Sequence, residues 1–300
     1  MNVALITPWN NAWVPLFEKE VFTRGHEFGL FRQAGDINKP VNYSRYAEPA
    51  DVCIHGWATG KSVDGARNIM FLRRYELFDR SHREVDWENI DHLIVVNTWI
   101  GDRMREYFDH YGYKTPISCI YNSVDLDLWK FKERKPNPWI GMACHIHPKK
   151  NLSLALQILA ALPQEYELHI AGQVQDPCTA EYLNHVGKRI YRKIYLYGHI
   201  ERQQLNFWWE QMGFCLSTSL SEGNPNNVIE AMAKGIKPVV HSWPGAEDQF
   251  DKSWIFSTVS EAVNQIKLSP YESSRYRDHV RKYFSLDNIS KVVDIALEEK

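Results

Sequence analysis

The chain lacks a long apolar run. Its longest stretch of that character, residues 152–162, contains Ser153 and Gln157 and is too short to span a bilayer. It also lacks an excess of either charge. The 35 Lys and Arg stand against 37 Asp and Glu, for a formal net charge of −2, so no global field draws the protein to nucleic acid or anionic lipid. Cysteine is sparse: Cys53, Cys119, Cys144, Cys178 and Cys215 are scattered, with no pair at metal-ligand or redox spacing. That pattern suits buried free thiols in a reducing compartment. Residues 1–6 carry no basic leader and read directly as a strand. Repeats, low-complexity tracts and an acidic tail are missing as well. The expectation is a cytoplasmic protein without a transmembrane segment; peripheral membrane contact stays open.

What is present is an ordinary globular composition, 44% hydrophobic and 24% charged over 300 residues, enough for two domains. Eleven Trp and fifteen Tyr serve packing first and could also supply stacking platforms for sugars or bases.

Short apolar runs alternate with helical patterns. Residues 3–7, 52–55, 69–72, 92–96 and 117–121 read as strands, with helices over 15–24 and 98–111. The alternation pauses at 125–138, a charged stretch holding Lys130, Lys132, Arg134, Pro136 and Pro138, which reads as a linker. It then restarts with strands at 139–143, 167–171, 194–197, 214–217 and 238–241. Helices are expected over 151–162, 179–188, 203–212 and 226–234, and two more at 271–284 and 286–298. Strand–helix alternation of this kind predicts two α/β domains with parallel sheets, whose ligands bind at the carboxyl edges of the strands.

One segment concentrates chemistry: Ser219-Leu220-Ser221-Glu222-Gly223-Asn224-Pro225-Asn226-Asn227-Val228-Ile229-Glu230-Ala231-Met232-Ala233-Lys234-Gly235. A strand runs into a loop and then a helix. Pro225 suits the first helical turn. The amides of Asn226, Asn227 and Val228 would then face outward and, with the helix dipole, bind a phosphate. Carboxylates repel a diphosphate but accept from hydroxyls. Glu222 before the helix and Glu230 one turn inside it would therefore hold a sugar on one side and a ribose on the other. Two carboxylates around one phosphate site fit a nucleotide sugar better than a free nucleotide.

This run resembles retaining glycosyltransferases of family 4, which have the GT-B fold. The likeness lies in Ser219, Glu222-Gly223, Glu230-Ala231-Met232-Ala233, Gly235, Pro238-Val239-Val240, Gly245 and Glu247. It continues faintly at Ile120-Tyr121-Asn122-Ser123-Val124-Asp125 and at Cys144-His145-Ile146-His147-Pro148-Lys149-Lys150-Asn151.

The resemblance implies an α/β architecture of two Rossmann-like domains facing across a cleft. Residues 1–130 would form the acceptor side and 135–284 the nucleotide-sugar side, with a helix over 285–300 packing back on the first domain. It implies transfer of a sugar from a nucleoside-diphosphate sugar to an acceptor hydroxyl, with retention and with neither metal nor other cofactor. A glycan, a lipid or another hydroxyl compound would be the acceptor, and nucleic acid stays open. Carried over residue by residue, Glu222, Lys150 and His55 are the catalytic candidates. Glu230, Gly223, Asn224, Asn226, Asn227, Lys149 and His145 are the donor-binding ones. The pattern is departed from at several points: Ser123 stands where a Gly is usual, and the N-terminal half is short for the family. Cys144 or His145 stands where an Arg is usual, and Pro8-Trp9-Asn10-Asn11-Ala12-Trp13 replaces paired glycines after the first strand. A sugar-nucleotide epimerase and a non-catalytic nucleotide-sugar binder are the alternatives.

Other patterns carry less. Gly56-Trp57-Ala58-Thr59-Gly60-Lys61-Ser62 nearly spells a P-loop but has three residues between its glycines where four are needed. Cys144, His145 and His147 crowd too closely for a metal site. Asp125-Leu126-Asp127 reads as a turn and cap. Arg73-Arg74-Tyr75-Glu76 follows a strand end and reads equally as a solvated run or as a meeting point for a phosphate or anionic acceptor.

Overall fold

Buried parallel strands read as continuous apolar runs because helices cover both faces, and the runs above become two such sheets. The computed structural model describes residues 1–7, 13–32, 50–58 and 62–298. Residues 8–12, where the paired glycines are missing, and residues 59–61 of the near-P-loop lie outside the described residues. The chain divides into two units, Met1–Ser123 with Leu286–Lys300, and Val124–Ser285.

The first unit holds β1 (Asn2–Thr7), α1 (Val14–Thr23), β2 (Glu27–Arg32), β3 (Val52–His55), β4 (Arg67–Leu72), α2 (Arg74–Asp79), β5 (His92–Val95), α3 (Thr98–Tyr111) and β6 (Ile117–Cys119). Its sheet runs β2-β1-β3-β4-β5-β6, parallel throughout. Asn97 caps α3 by accepting the Ile100 amide at 2.8 Å, and Gly112 ends it at φ 80°. The last helix of the chain, Asp287–Leu297, brings Ile289, Val292, Val293 and Ala296 into one core with Leu5, Phe17, Val21 and Ile54.

The second unit holds β7 (Trp139–Ala143), α4 (Leu152–Ala161), β8 (Glu167–Ala171), α5 (Pro177–Arg189), β9 (Ile194–Leu196), α6 (Arg202–Trp209), β10 (Phe214–Ser217), α7 (Asn226–Ala233), β11 (Lys237–His241), α8 (Ala246–Gln249), β12 (Ile255–Phe256), α9 (Val259–Lys267) and α10 (Ser273–Tyr283). The sheet order is β12-β11-β10-β7-β8-β9, again parallel. Counted from β7, this is the doubly wound order 3-2-1-4-5-6, which reverses direction between β7 and β10. The core joins Ile140, Met142, Leu156, Leu159, Leu168, Phe214, Leu216 and Val239.

The charged stretch after Val124 lies against this unit. The Arg134 guanidinium donates to the carbonyls of Lys234 at 2.8 Å and Glu210 at 2.9 Å. Asp125 accepts the amides of Asp127 at 2.9 Å and Leu128 at 3.2 Å, closing a turn.

Candidate active site

Where a doubly wound sheet reverses its order, the loops leaving neighbouring strands splay apart and leave a crevice. A cavity of about 320 Å³ opens there, lined by residues that follow four strand ends. Cys144 and His145 follow β7, Gly172 follows β8, His199 and Ile200 follow β9, and the loop from Glu222 to Asn227 follows β10. Gly172 is fixed by space, because a Cβ there would sit 2.0 Å from the Cys144 carbonyl oxygen.

The wall is built by stitching two loops together. The turn Pro148–Lys150 presents its carbonyls to the segment after β10: Thr218 Oγ1 donates to Lys150 O at 2.7 Å and the Leu220 amide to Lys149 O at 3.0 Å. The result sets Lys150 opposite Glu222, with Nζ 2.5 Å from Oε1, both side chains largely withdrawn from solvent. Ser219 Oγ donates to the same oxygen at 2.6 Å. Gln249, buried behind the loop, donates through Nε2 to Gly223 O at 2.9 Å and accepts from Asn224 Nδ2. His241 Nδ1 lies 3.1 Å from Ser219 O.

Helix α7 enters the cavity by its amino end. Val228 through Ala233 are all buried, so sheet and helices grip it on every side. Arg277 donates to the Ala233 carbonyl at 2.8 Å, placing a cation at the negative end of the dipole. The opening turn corrects one expectation. Pro225 is the residue before the helix, at φ −78° and ψ 90°, and its carbonyl takes the amides of Val228 at 3.0 Å and Ile229 at 3.2 Å. The Val228 amide is thus spent inside the turn. Asn226 and Asn227, both lining the cavity, carry the amides that open the helix.

The carboxylate inside α7 is held differently. Glu230 is buried and pairs with Arg202, Oε1 to Nη2 at 3.3 Å, and Arg202 lies over the Trp129 ring at 5.4 Å. Burial lifts the Glu230 pKa to about 7, with Arg202 pulling the other way. Glu230 is not among the residues lining the cavity. Burial, then the charges of Lys150 and His199, lower the pKa of His145. Burial lifts the Cys144 thiol to about 11, so this position carries no charge at neutral pH.

The structure therefore brings together Lys150, Glu222, His145, Asn224, Asn226 and Asn227. Gly223 acts through its carbonyl, and Lys149 lies on the exposed side of the same turn. His55 lies in the first unit at the end of β3, 2% exposed, with Nε2 3.1 Å from Asn68 Oδ1. Sequence reasoning missed His199 and Ile200, because a loop after an edge strand reveals its place only once the strand order is known. Among the described residues no group of three His, Cys, Asp or Glu side chains is placed to hold a metal ion. No described helix is long and apolar enough to cross a membrane.

A crevice at the switch point of an open parallel sheet, with a helix amino end and a lysine in it, is the place where doubly wound α/β proteins receive their ligands. Residues 137–267 match the family model described as "Glycosyl transferases group 1". That match lies within the second unit, and the two-sheet chain has the GT-B fold of glycosyltransferases. The structure of Anabaena Alr3699/HepE in complex with UDP-glucose superposes with a TM-score of 0.77 at 13% identity over 99% of both chains. Sucrose-phosphate synthase (tll1590) from Thermosynechococcus elongatus gives 0.76 at 12% over 98% of both. TarM from S. aureus, in a structure that holds UDP, gives 0.69 at 16%; there the match covers 85% of this chain but 58% of TarM. No curated protein matches the sequence.

Proposed function

We propose that the protein transfers a glycosyl group from a nucleoside-diphosphate sugar to an acceptor hydroxyl, with retention at the anomeric carbon. The observation that carries this reading is the Lys150–Glu222 pair at 2.5 Å beside the amino end of α7. The diphosphate would lie on the amides of Asn226 and Asn227. Lys150 would turn from Glu222 to the phosphate and meet the charge that grows there as the sugar leaves. Glu222, relieved of its cation, would accept from sugar hydroxyls, oriented by Ser219. Glu230 would take the ribose, which requires its contact with Arg202 to loosen. Lys149 would add positive potential at the rim, and His145 and His199 would take the place of the usual Arg.

His55 is the exception. Its buried ring is engaged by Asn68, and we assign it to the frame of the first unit. The neighbours solved with UDP or UDP-glucose make uridine donors the first to test. With purified protein, release of nucleotide that depends on added acceptor and is lost in Glu222→Ala is the expected result.

A second reading has one observation in its favour: the neutral Cys144 leaves Lys150 without a second fixed cation on the leaving-group side. A nucleotide-sugar binder without catalysis would bind donor tightly and never consume it. An epimerase would consume it with no acceptor present.

A further inference from the structure

A second cavity, of about 30 Å³, lies wholly within the first unit. Arg73, just past β4, and Ile120 to Ser123, just past β6, line it with Trp13 and the face of the last helix. It thus sits at the carboxyl edge of the first sheet, the edge at which open parallel sheets receive ligands.

Three of its polar atoms share one property. Arg73 Nε, Trp13 Nε1 and Ser123 Oγ are each buried without a hydrogen-bond partner among the described residues. Two of these are obligate donors, and the hydroxyl can donate. Among the described residues no Asp or Glu lines the cavity. The Arg73 guanidinium lies over Phe71 at 5.7 Å and Trp57 at 5.8 Å, and aromatic faces hold it there without hydrogen-bonding it. Glu76, whose charge acts on Arg73, accepts the amides of Ala58 and Arg73, each at 3.1 Å. Burial raises its pKa to about 7, so it is a weak counter-charge. Lys291 reaches Asn288 Oδ1 at the rim, 3.3 Å away.

Buried donors are ordinarily satisfied, and a partly buried guanidinium with a weak counter-charge gains from a stronger one. Water could satisfy the three donors but adds no charge opposite the guanidinium; an anion does both. We propose that this cavity receives a small anionic head group, a carboxylate or a phosphate, with Arg73, Trp13 and Ser123 as its donors. The volume admits a head group alone, so the rest of the ligand lies outside. The proposal is independent of the donor site, since none of the described residues lining the cavity belongs to the second unit.

The test follows the indole N–H signals of the intact ¹⁵N-labelled protein, with Trp13 assigned through Trp13→Phe. Sodium acetate, inorganic phosphate and sodium chloride are titrated at matched ionic strength. The Trp13 signal is expected to shift saturably with acetate or phosphate and not with chloride; whichever anion acts identifies the head group. Arg73→Gln should weaken that binding about tenfold or more, as loss of a charged hydrogen bond does. Ser123→Ala, which keeps the packing, should weaken it less, and it carries the test if Arg73→Gln does not fold. Lys150→Ala should leave it unchanged. No saturable shift with either anion, an equal shift with chloride, undiminished binding in Ser123→Ala together with Arg73→Gln, or loss of binding in Lys150→Ala would overturn the proposal.

Discussion

Lys150 Nζ and Glu222 Oε1 lie 2.5 Å apart although 72 residues separate them in the chain. Two loops from neighbouring strands must both be in place for the contact to form. If Lys150 meets the leaving diphosphate and Glu222 the sugar, removing either should lower turnover about a hundred- to thousandfold, the usual loss for one electrostatic group. The double variant Lys150→Ala with Glu222→Ala should lose less than the product of the two, because each single change frees its partner. Steady-state kinetics with circular dichroism as the folding control decides this; full activity in both single variants refutes the assignment.

Glu230 and Arg202 give a binding prediction. Glu230→Ala should raise the donor dissociation constant about tenfold, the worth of one hydrogen bond to a charged group, and leave the chemical step within a few-fold. Calorimetric titration with a uridine diphosphate sugar checks it. An unchanged constant would remove Glu230 from the site.

His55 yields a pH dependence. Burial holds the folded ring at a pKa of about 4 against 6.5 for the free side chain. Between those values the unfolded chain binds the extra proton. The contribution is therefore fully present above pH 6.5 and disappears as pH falls through 4. It amounts to about 3 kcal/mol across the window. The stability difference between wild type and His55→Gln, measured by urea titration from pH 7 to 4, should shrink as pH falls. A difference independent of pH would mean that the ring takes up its proton in the folded state.

Gly172→Ala tests the floor of the donor cavity. The new Cβ would fall 2.0 Å from a backbone oxygen, and backbone yields less readily than a flexible side chain. A loss of about 2 kcal/mol or more is expected, together with weakened donor binding. A melting temperature within a degree of wild type would show that the loops give way.

Central elements were legible in the sequence because burial leaves them no choice of composition. Val52–His55 and Phe214–Ser217 are buried at every position, and so read as apolar runs. Glu27–Arg32 was missed. It is the outermost strand of its sheet, with charge at both ends and Gly29 inside, and an edge needs no apolar run. Helix α9 was missed although its capping box is plain, Thr258 accepting from the Glu261 amide and Glu261 reaching back. The two-residue strand before it gave no signal at all. Glu222, Lys150 and the start of α7 were readable as a resemblance in residue order. The turn chemistry of Pro225 was not, because first-turn and pre-helix proline differ only in ψ. The cavity in the first unit was half visible: Arg73 stood out, but Trp13 and Ser123 reach it only through the fold.

The last helix belongs to the first unit, and this has a practical meaning. The second unit is in effect an insert, entered at Val124 and left at Ser285. A protein ended after Ser123 would expose the apolar bed that Ile289, Val292 and Val293 cover, and should aggregate. Joining Ser123 to Leu286 through a short flexible tether would give the first unit its missing ridge and a chance to be studied alone.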